Sequence, residues 1–361
     1  MKNKSSSQSV LICLFTVLAF AVCSLPARLD ATSTNWIDTT GNWFTDANWD
    51  NHVPTTSTDA YVNNAGTAQV NTHNPDATAQ SLTLGLDAGN SGTVTVDGTL
   101  NGTLSIPPGG CPLYTHDIFP GLLSVGYQDT GTLKITNGGT VSSGWGYIAA
   151  VSNEVLTSTG SVIVDGTNSI WKMSSPCGAA ARLFVGGSYN DQTGMDNPGG
   201  TALLTVTNGG TVEVDNPANQ VSVKVGPSGT LTGNGTITTN NTNTLAKLTA
   251  VQGTLAPKGT LTITKDLAFS SSGTMLCNVT QGNADMVNVL DIAYLDGRVS
   301  VIMTGTFNNS ITQYTLLKTV NGLNSTTFAS VSITYPTGQH FVPSISYDTD
   351  HVYLNLTFSG L

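Results

Sequence analysis

The sequence predicts an all-β fold, most simply a right-handed parallel β-helix coiled from one chain. Three observations lead to that prediction. Thr, Ser, Asn and Gly dominate the composition, whereas glutamate occurs only at Glu154 and Glu213, which favours strands and turns over helices. Apolar and polar residues alternate in short runs. The runs recur along the chain and are separated by Asn-Gly or Asp-Gly turns.

The first element is a predicted signal peptide over residues 1–31. Lys2 and Lys4 precede an apolar run from Val10 to Val22, and small residues follow it. The run is short for a membrane span. We therefore expect the protein to contact the membrane only through this segment, before the signal peptide is cleaved. Two alternatives stay open, a retained anchor and a lipoprotein acylated at Cys23.

The second element is a strand repeat over residues 32–250. An apolar strand that ends in a small residue is followed by a second strand and a turn, as in Leu123–Gly126 and then Gly131–Val141. The copies are 82–100, 123–141, 146–171 and 183–214, with a truncated copy at 223–237. Alternation within each strand predicts one buried and one wet face.

The spacing of the repeats favours a β-helix over its rivals. Equivalent glycines are expected at 92, 131, 160 and near 200, so the period is irregular. A β-helix accepts loops of unequal length at its corners, whereas a propeller needs a more constant period. A hairpin stack, a β-sandwich and a propeller remain the alternatives. Residues 251–361 are predicted to continue or cap the helix.

These repeats resemble the autotransporter-associated β-strand repeats of bacterial surface proteins. The resemblance starts with a Trp-rich opening around Trp36, Trp43 and Trp49 and continues through Gly131–Val141 and Asp165–Trp171. It ends with a Pro-Gly turn in Gly253–Ile263, here interrupted by Lys258. The resemblance implies a parallel β-helix displayed outside the cell in an adhesive or structural role. The chain ends at Leu361 without the translocator barrel of that family, which leaves a periplasmic location as the alternative to secretion or surface display.

Charge argues against nucleic acid as a partner. The chain has a formal net charge of −10. The predicted signal holds three of the 12 basic and one of the 22 acidic residues, so its removal leaves −12. Such a surface repels polyanions and anionic membranes. No Gly-rich phosphate loop followed by Lys and Ser or Thr occurs, so we expect no nucleotide and no nucleic acid. The expected partners are surface glycans or other cell-surface proteins.

Catalytic residues are scarce, so we expect no enzyme activity and no catalytic site. Asp165, Lys172 and Arg182 are the best candidates for a cluster, but Asp beside a turn glycine usually supports the turn. His116 and Asp117 lie together without a Gly-x-Ser-x-Gly nucleophile motif. A polysaccharide-active enzyme or a glycan-binding protein is the alternative to a structural or adhesive β-helix.

No cofactor is expected, and calcium is the one metal that the sequence leaves open. Asp46 with Asp50, or Asp348 with Asp350, would place oxygen ligands close together. The histidines lack zinc-site spacing. The cysteines that follow the signal, Cys111, Cys177 and Cys277, are far apart in the sequence, which leaves open one disulfide or three separate thiols.

The three N-terminal tryptophans have two interpretations. Trp36, Trp43 and Trp49 would cover the open apolar end of the first coil, because a solenoid must cap its terminal repeat. Alternatively, the three indoles would form a glycan-contact strip. Burial of all three would exclude the second interpretation.

Overall fold

Each turn of the chain adds one strand to each of three parallel sheets, which is the architecture of a parallel β-helix. The computed structural model describes residues 32–72, 75–107, 121–150, 157–174, 181–189, 196–197, 199–215, 221–239 and 249–358. The structure confirms the predicted fold class.

The strands are named in chain order, and two short 3-10 turns lie at Asp46–Asn48 and Gly98–Leu100. The first twelve strands are β1 Thr32–Asn35, β2 Thr40–Asn42, β3 Thr58–Val62, β4 Gly66–Val70, β5 Ala77–Thr78, β6 Ser81–Leu84, β7 Ser91–Asp97, β8 Thr103–Ser105, β9 Leu122–Val125, β10 Thr130–Thr136, β11 Thr140–Ser143 and β12 Trp145–Ile148. The next twelve are β13 Thr159–Asp165, β14 Ile170–Ser174, β15 Arg182–Val185, β16 Ser188–Tyr189, β17 Asp196–Asn197, β18 Thr201–Thr207, β19 Thr211–Asp215, β20 Val223–Val225, β21 Gly229–Gly233, β22 Thr236–Thr239, β23 Thr249–Val251 and β24 Thr254–Pro257. The remainder are β25 Thr260–Ile263, β26 Leu267–Phe269, β27 Thr274–Thr280, β28 Asn283–Ala284, β29 Met286–Val289, β30 Ala293–Tyr294, β31 Arg298–Met303, β32 Gln313–Thr319, β33 Ser330–Thr334, β34 Phe341–Tyr347 and β35 His351–Phe358.

The strands form three long sheets, which we call sheet 1, sheet 2 and sheet 3. Sheet 1 runs β1-β3-β6-β9-β12-β15-β20-β23-β26-β30. Sheet 2 runs β2-β4-β7-β10-β13-β18-β21-β24-β27-β31-β33, and β28 pairs with β27. Sheet 3 runs β5-β8-β11-β14-β19-β22-β25-β29-β32-β35-β34. Strands β16 and β17 form a separate two-stranded hairpin.

In-register stacking produces continuous columns of core side chains. One inward column of sheet 2 consists of residues that are fully buried in consecutive coils: Val94, Leu133, Val162, Leu204, Leu231, Leu255, Met275 and Val299. Because successive residues of a strand face opposite sides, the residues between these positions form outward columns. The alternation seen in the sequence is therefore the alternation of core and surface.

The corner between sheets 2 and 3 is tight and built from Asn and Gly. The chain turns through Asn137-Gly138 and again through Asn208-Gly209, all four at positive φ. Asn reaches that conformation more readily than most residues and Gly reaches it without strain. Asn208 Nδ2 donates to Asp165 Oδ1 of the previous coil at 2.7 Å, so side chains link successive corners.

The connections beside sheet 1 vary more in length than the corner between sheets 2 and 3. From sheet 1 to sheet 2, Ile148 is followed by the next strand at Thr159, whereas Val225 is followed by its next strand at Gly229. This variation explains the irregular repeat. It also corrects one expected equivalence, because Gly160 aligns with Ala202 rather than with a glycine near 200.

The two ends of the described coil differ. Trp36, Trp43 and Trp49 belong to the main core at the first coil, which confirms the predicted aromatic cap. At the other end, β35 pairs antiparallel with both β32 and β34, so the parallel order of sheet 3 stops there.

Strand β23 spans residue 250 and pairs on both sides, so sheet 1 is continuous at the boundary expected between residues 250 and 251. The domain boundaries stay predictions.

Among the residues that the structure describes, no helix has the length and apolar character needed to cross a membrane.

Candidate functional site

The three residues that the sequence offered as the best candidates for a catalytic cluster lie on three different sheets. Asp165 ends β13 in sheet 2, where it accepts hydrogen bonds from Thr207 and Asn208 at 2.8 and 2.7 Å. Lys172 lies in β14 of sheet 3 and forms an ion pair with Glu213 at 3.1 Å. Arg182 begins β15 in sheet 1. Asp165 therefore supports the corner, and the three side chains share no face. His116 and Asp117 lie outside the described residues.

The N-terminal tryptophans pack edge to face under the first coil. Trp49 lies 5.1 Å from Trp36 and 4.8 Å from Trp43 between ring centroids, at interplanar angles of 82° and 71°. Trp49 Nε1 donates to the Trp43 carbonyl at 2.8 Å. None of the three indoles is more than 3% exposed. No face of these rings is open for a sugar to stack on, which argues against the predicted glycan contact and for the cap.

A different set of aromatic residues lies on the outer face of sheet 1. One outward column runs through six consecutive coils in register: Tyr61, Thr83, Ser124, Tyr147, Phe184 and Lys224. A neighbouring column carries Leu122, Trp145 and Arg182 in consecutive coils. We call these nine residues the sheet 1 face.

The aromatic part of this face is packed separately from the core. Leu122 and Trp145 form a second apolar cluster with Tyr147 against it, distinct from the main core. Tyr147 and Phe184 meet edge to face, with ring centroids 5.3 Å apart. Trp145 is buried at the base of the cluster, whereas Tyr147 is half-buried. The sheet 1 face thus has a fixed aromatic centre with one partly accessible ring.

The cationic part of the face is partly desolvated. Burial, and in second place the nearby Arg182 charge, lower the pKa of Lys224 from its usual 10.5 to about 8. Burial disfavours an ammonium ion, and a like charge adds to that effect. Arg182 and Lys224 are both half-buried on neighbouring strands. Two cationic side chains therefore lie on neighbouring strands at this end of the sheet 1 face.

The opposite end of the same sheet is acidic. Asp59 accepts a hydrogen bond from Ser81 Oγ at 2.6 Å. The pKa of Tyr61 is raised by burial and then by the Asp59 charge. Asp59 is the one carboxylate in the sheet 1 strands of the described chain. It lies in the coil of β3, about five coils or roughly 24 Å from the coil of β20, at ~4.8 Å per coil.

Thr83 lies in the outward column of sheet 1, but the column is not exposed to solvent at this coil. Its side chain is fully buried, and its hydroxyl has no hydrogen-bond partner in the described structure. A buried hydroxyl without a partner costs about 1–3 kcal/mol. The hydroxyl is therefore not a contact for a ligand that binds from solvent.

The two pairs of carboxylates at which the sequence left calcium open both make contacts within the protein. Asp46 binds His52 Nδ1 at 3.0 Å and the Val53 N–H at 3.0 Å. Asp50 accepts from the backbone and side chain of Asn35 at 2.7 and 2.8 Å. For Asp50, burial is the largest single influence and raises the pKa of the carboxyl group. The hydrogen bonds together outweigh burial, so the pKa of Asp46 and that of Asp50 both lie below the usual value. The two carboxylates thus stabilise the segment that carries the N-terminal tryptophans.

The second pair sits in the turn between β34 and β35. Ligand atoms of Asp348, Asp350 and His351 lie within 4.8 Å of one another. Asp348 accepts the N–H groups of Asp350 and His351 at 2.9 and 2.6 Å, and the Tyr353 hydroxyl at 3.0 Å. The Asp350 N–H bond is the main cause that lowers the pKa of Asp348 to about 2. Asp348 therefore stabilises the turn between β34 and β35.

Of the cysteines, Cys277 is buried in β27 as a free thiol. Burial, with a smaller effect of Asp285, raises the pKa of this thiol well above its usual value, so it is not reactive. Cys111 and Cys177 lie outside the described residues.

The sequence matches no protein-family model, and a search of curated proteins finds no relative. The resemblance to autotransporter-associated repeats therefore stays a prediction.

The sheet 1 face was present in the sequence but not predicted from it. In the aligned repeats, Ser124, Tyr147, Phe184 and Lys224 occupy the same position, between two apolar residues of a short strand. Reading that outward position down the repeats would have shown two aromatic residues followed by a lysine. The closely spaced N-terminal tryptophans are the more conspicuous aromatic pattern in the sequence.

Proposed function

We propose that this protein is an exported, non-catalytic β-helix that adheres to surface glycans through the sheet 1 face. The observation that carries the proposal is the outward column from Tyr61 to Lys224 across six coils, in which Tyr61, Tyr147 and Lys224 are half-buried while Thr83, Ser124 and Phe184 are buried. Aromatic rings beside hydrogen-bonding groups suit sugars, which have apolar ring faces and polar edges. The predicted signal peptide supports export.

The arrangement of charge supports binding rather than catalysis. Glycoside hydrolysis typically requires two carboxyl groups about 5–9.5 Å apart. Within the described sheet 1 strands, Asp59 is the only carboxylate, and it lies far along the coil from Arg182 and Lys224. Glu213 is ion-paired with Lys172 on sheet 3. A distributed, elongated binding surface is what adhesion requires.

A glycan panel tests the proposal. The mature protein and its Tyr147→Ala variant are passed over immobilised neutral and anionic polysaccharides, and retention is measured. Leu203→Ala is the matched control, because Leu203 is a partly exposed apolar residue on the outer face of sheet 2. We expect binding that Tyr147→Ala weakens and Leu203→Ala leaves unchanged. Equal binding by all three proteins, or no binding to any glycan, would contradict the proposal.

Localisation provides the second test. Cells are fractionated, and intact cells are probed with an antibody against residues 32–358. The proposal predicts labelling of intact cells or protein in the medium. Protein confined to the periplasm and inaccessible from outside would defeat the adhesive role.

A further inference from the structure

Sheet 2 ends at β33 with one edge unpaired. β33 pairs with β31 on one side, and no strand of the described chain pairs with it on the other side. The inward column of sheet 2 is fully buried from Val94 to Val299, and Val331 continues it by one coil. Val331 is nevertheless 48% exposed. The core of sheet 2 therefore reaches solvent at β33.

The first strands of sheets 1 and 2 have covered edges. Asp50 Oδ1 accepts the Asn35 N–H of β1 at 2.7 Å, and the Asp50 N–H donates to the Asn35 carbonyl at 3.0 Å. Asn48 Nδ2 donates to the Asn42 carbonyl of β2 at 2.9 Å. The segment that carries the N-terminal tryptophans therefore occupies the positions that another strand would need.

The other ends of the sheets are protected in ways that β33 lacks. In sheet 1, the Gly322 carbonyl accepts the Ala293 N–H of β30 at 3.1 Å. In sheet 3, β5 has two residues and β34 contains Pro343, which has no N–H. Covered edges, short edge strands and proline all hinder the addition of a strand. β33 has five residues, no proline and no pairing strand on its outer side among the residues that the structure describes.

The sequence of β33 is complementary to itself in the antiparallel direction. If Ser332 lies on a two-fold axis, Val331 lies opposite Ile333 of a second copy, and Ser330 lies opposite Thr334. Each pair then joins two β-branched apolar side chains or two hydroxyl groups. Inward side chains meet inward side chains, so the core column that ends at Val331 would continue into the second copy.

The backbone of β33 favours the same alignment. The Ser330 N–H donates to the Gly297 carbonyl at 2.9 Å, on the side of β31. Successive residues of a strand direct their N–H and C=O groups to alternate sides, so those of Val331 and Ile333 point to the open edge. In the two-fold alignment these two residues face each other across the copies, and each such pair exchanges both of its N–H···O bonds.

Charge allows two copies to meet at this edge. The chain has a formal net charge of −10, so repulsion opposes contact between most of its surfaces. Residues 328–339 contain no Asp, Glu, Lys or Arg. Arg298 of β31 lies beside Ser330, so the arginines of the two copies would stand at opposite ends of the paired strands. The edge therefore brings no like charges together.

We infer that β33 is an interaction edge at which the chain binds a second copy of itself, with the two β33 strands antiparallel about Ser332. The inference is independent of the proposed function. Because the first strands of sheets 1 and 2 are covered, β33 of one copy does not pair with the first coil of another. The pairing is isologous and closes at two copies instead of extending into a fibre.

Sedimentation equilibrium of the mature protein over a range of concentrations tests the inference. We expect the average mass to rise from that of one chain to that of two and then to stay constant. A five-residue edge is short, so the dimer should be weak and should dissociate on dilution.

A charge-swap experiment tests the alignment. Ser332→Lys and Ser332→Glu each place a charge on an exposed side chain that would meet its own copy across the two-fold axis. Like charges across an interface are costly, so each variant alone should dimerise at least ~10-fold more weakly than the parent protein. An equimolar mixture of the two variants should dimerise again.

Two further variants separate the edge from the rest of sheet 2. Val331→Pro removes an N–H that points to the open edge and leaves the bond between Ser330 and Gly297, so it should abolish the dimer. Ser161→Lys is the control, because it adds the same charge at an outward position of β13 in the middle of sheet 2 and should dimerise like the parent protein. Melting temperatures show whether each variant is folded.

Three outcomes would overturn the inference. The parent protein could remain a single chain at every concentration, or it could grow past two chains. Folded Ser332→Lys and Val331→Pro could dimerise as tightly as the parent protein, which would place the contact elsewhere. A mixture of Ser332→Lys and Ser332→Glu that stays monomeric would exclude the alignment about Ser332.

Discussion

Tyr147 and Phe184 stand one coil apart in the same outward column of sheet 1, with ring centroids 5.3 Å apart and ring planes at 86°. This geometry places the electropositive edge of one ring against the face of the other. The parallel ladder imposes the contact, because in-register residues of adjacent strands are close neighbours. Sequence separation is irrelevant to such a pair, since the coil brings residues 147 and 184 together.

The pair should stabilise the fold cooperatively. Tyr147→Ala and Phe184→Ala are each expected to lower the free energy of unfolding, and a double-mutant cycle should give a coupling of about 0.5–1.5 kcal/mol. Urea denaturation of the two single variants and the double variant measures it. Strictly additive losses would show that the two rings do not interact in solution.

Gly146 faces inward beside Tyr147 and makes room for Trp171. A Cβ at position 146 would lie 2.5 Å from Cζ2 and 2.7 Å from Cη2 of that indole. Gly146→Ala should therefore destabilise the protein by about 1–3 kcal/mol through overpacking. The unfolding midpoint in urea measures the loss. In a Trp171→Leu background, which empties the space, the same substitution should cost less; an equal cost in both backgrounds would refute the steric explanation.

The aromatic cap should be one of the most sensitive sites to truncation. Trp49→Ala removes the ring that touches both Trp36 and Trp43, so we expect a loss of about 3–5 kcal/mol in the free energy of unfolding. Ile37→Ala is the control, because Ile37 is 56% exposed beside the same cap. Thermal and urea unfolding compare the two variants. Similar small effects at both positions would mean that the indoles do not cap the core.

Lys224 should give the stability of the protein a distinct pH dependence. Its pKa falls from 10.5 to about 8 in the folded protein, chiefly by burial and then by Arg182. Between these two values the unfolded chain binds more protons, so stability rises with pH in that window. On the other side of β20, the strand β23 places Ala250 in register with Lys224, so Arg182 is the charge that faces it from the neighbouring described strands.

A difference measurement isolates this effect from other titrating groups. The free energies of unfolding of the parent protein and of Lys224→Met are compared at several pH values from 7.5 to 10.5. The parent protein should gain stability relative to the variant as the pH rises. A constant difference, or a gain in the opposite direction, would show that Lys224 is not desolvated in the folded state.

Much of the fold followed from the sequence because local patterns and global architecture agree. The alternation of Leu133 and Ile135 with Lys134 and Thr136 predicted an inward and an outward side, and the structure shows the first pair buried. The Asn137-Gly138 turn predicted a corner, and both residues adopt positive φ. These features depend on adjacent residues, which a sequence displays directly.

The candidate site was less predictable because it depends on register between distant coils. Trp36, Trp43 and Trp49 are close in sequence, which left a glycan strip open beside the predicted cap, and they are buried together. Tyr147, Phe184 and Lys224 are 37 and 40 residues apart and form the outward column. Asp165, Lys172 and Arg182 show the reverse, because they are close in the sequence but lie on three different sheets. In a coil, a neighbour in space is one coil away rather than a few residues away.

The most direct test of the account is a crystal structure of the mature protein with the glycan that binds it most tightly. Adhesion through the sheet 1 face predicts ordered sugar rings along the outer face of sheet 1, with one ring against Tyr147. Sugar bound instead on the outer face of sheet 2 or sheet 3, or over the tryptophan cap, would contradict the claim that adhesion uses the sheet 1 face.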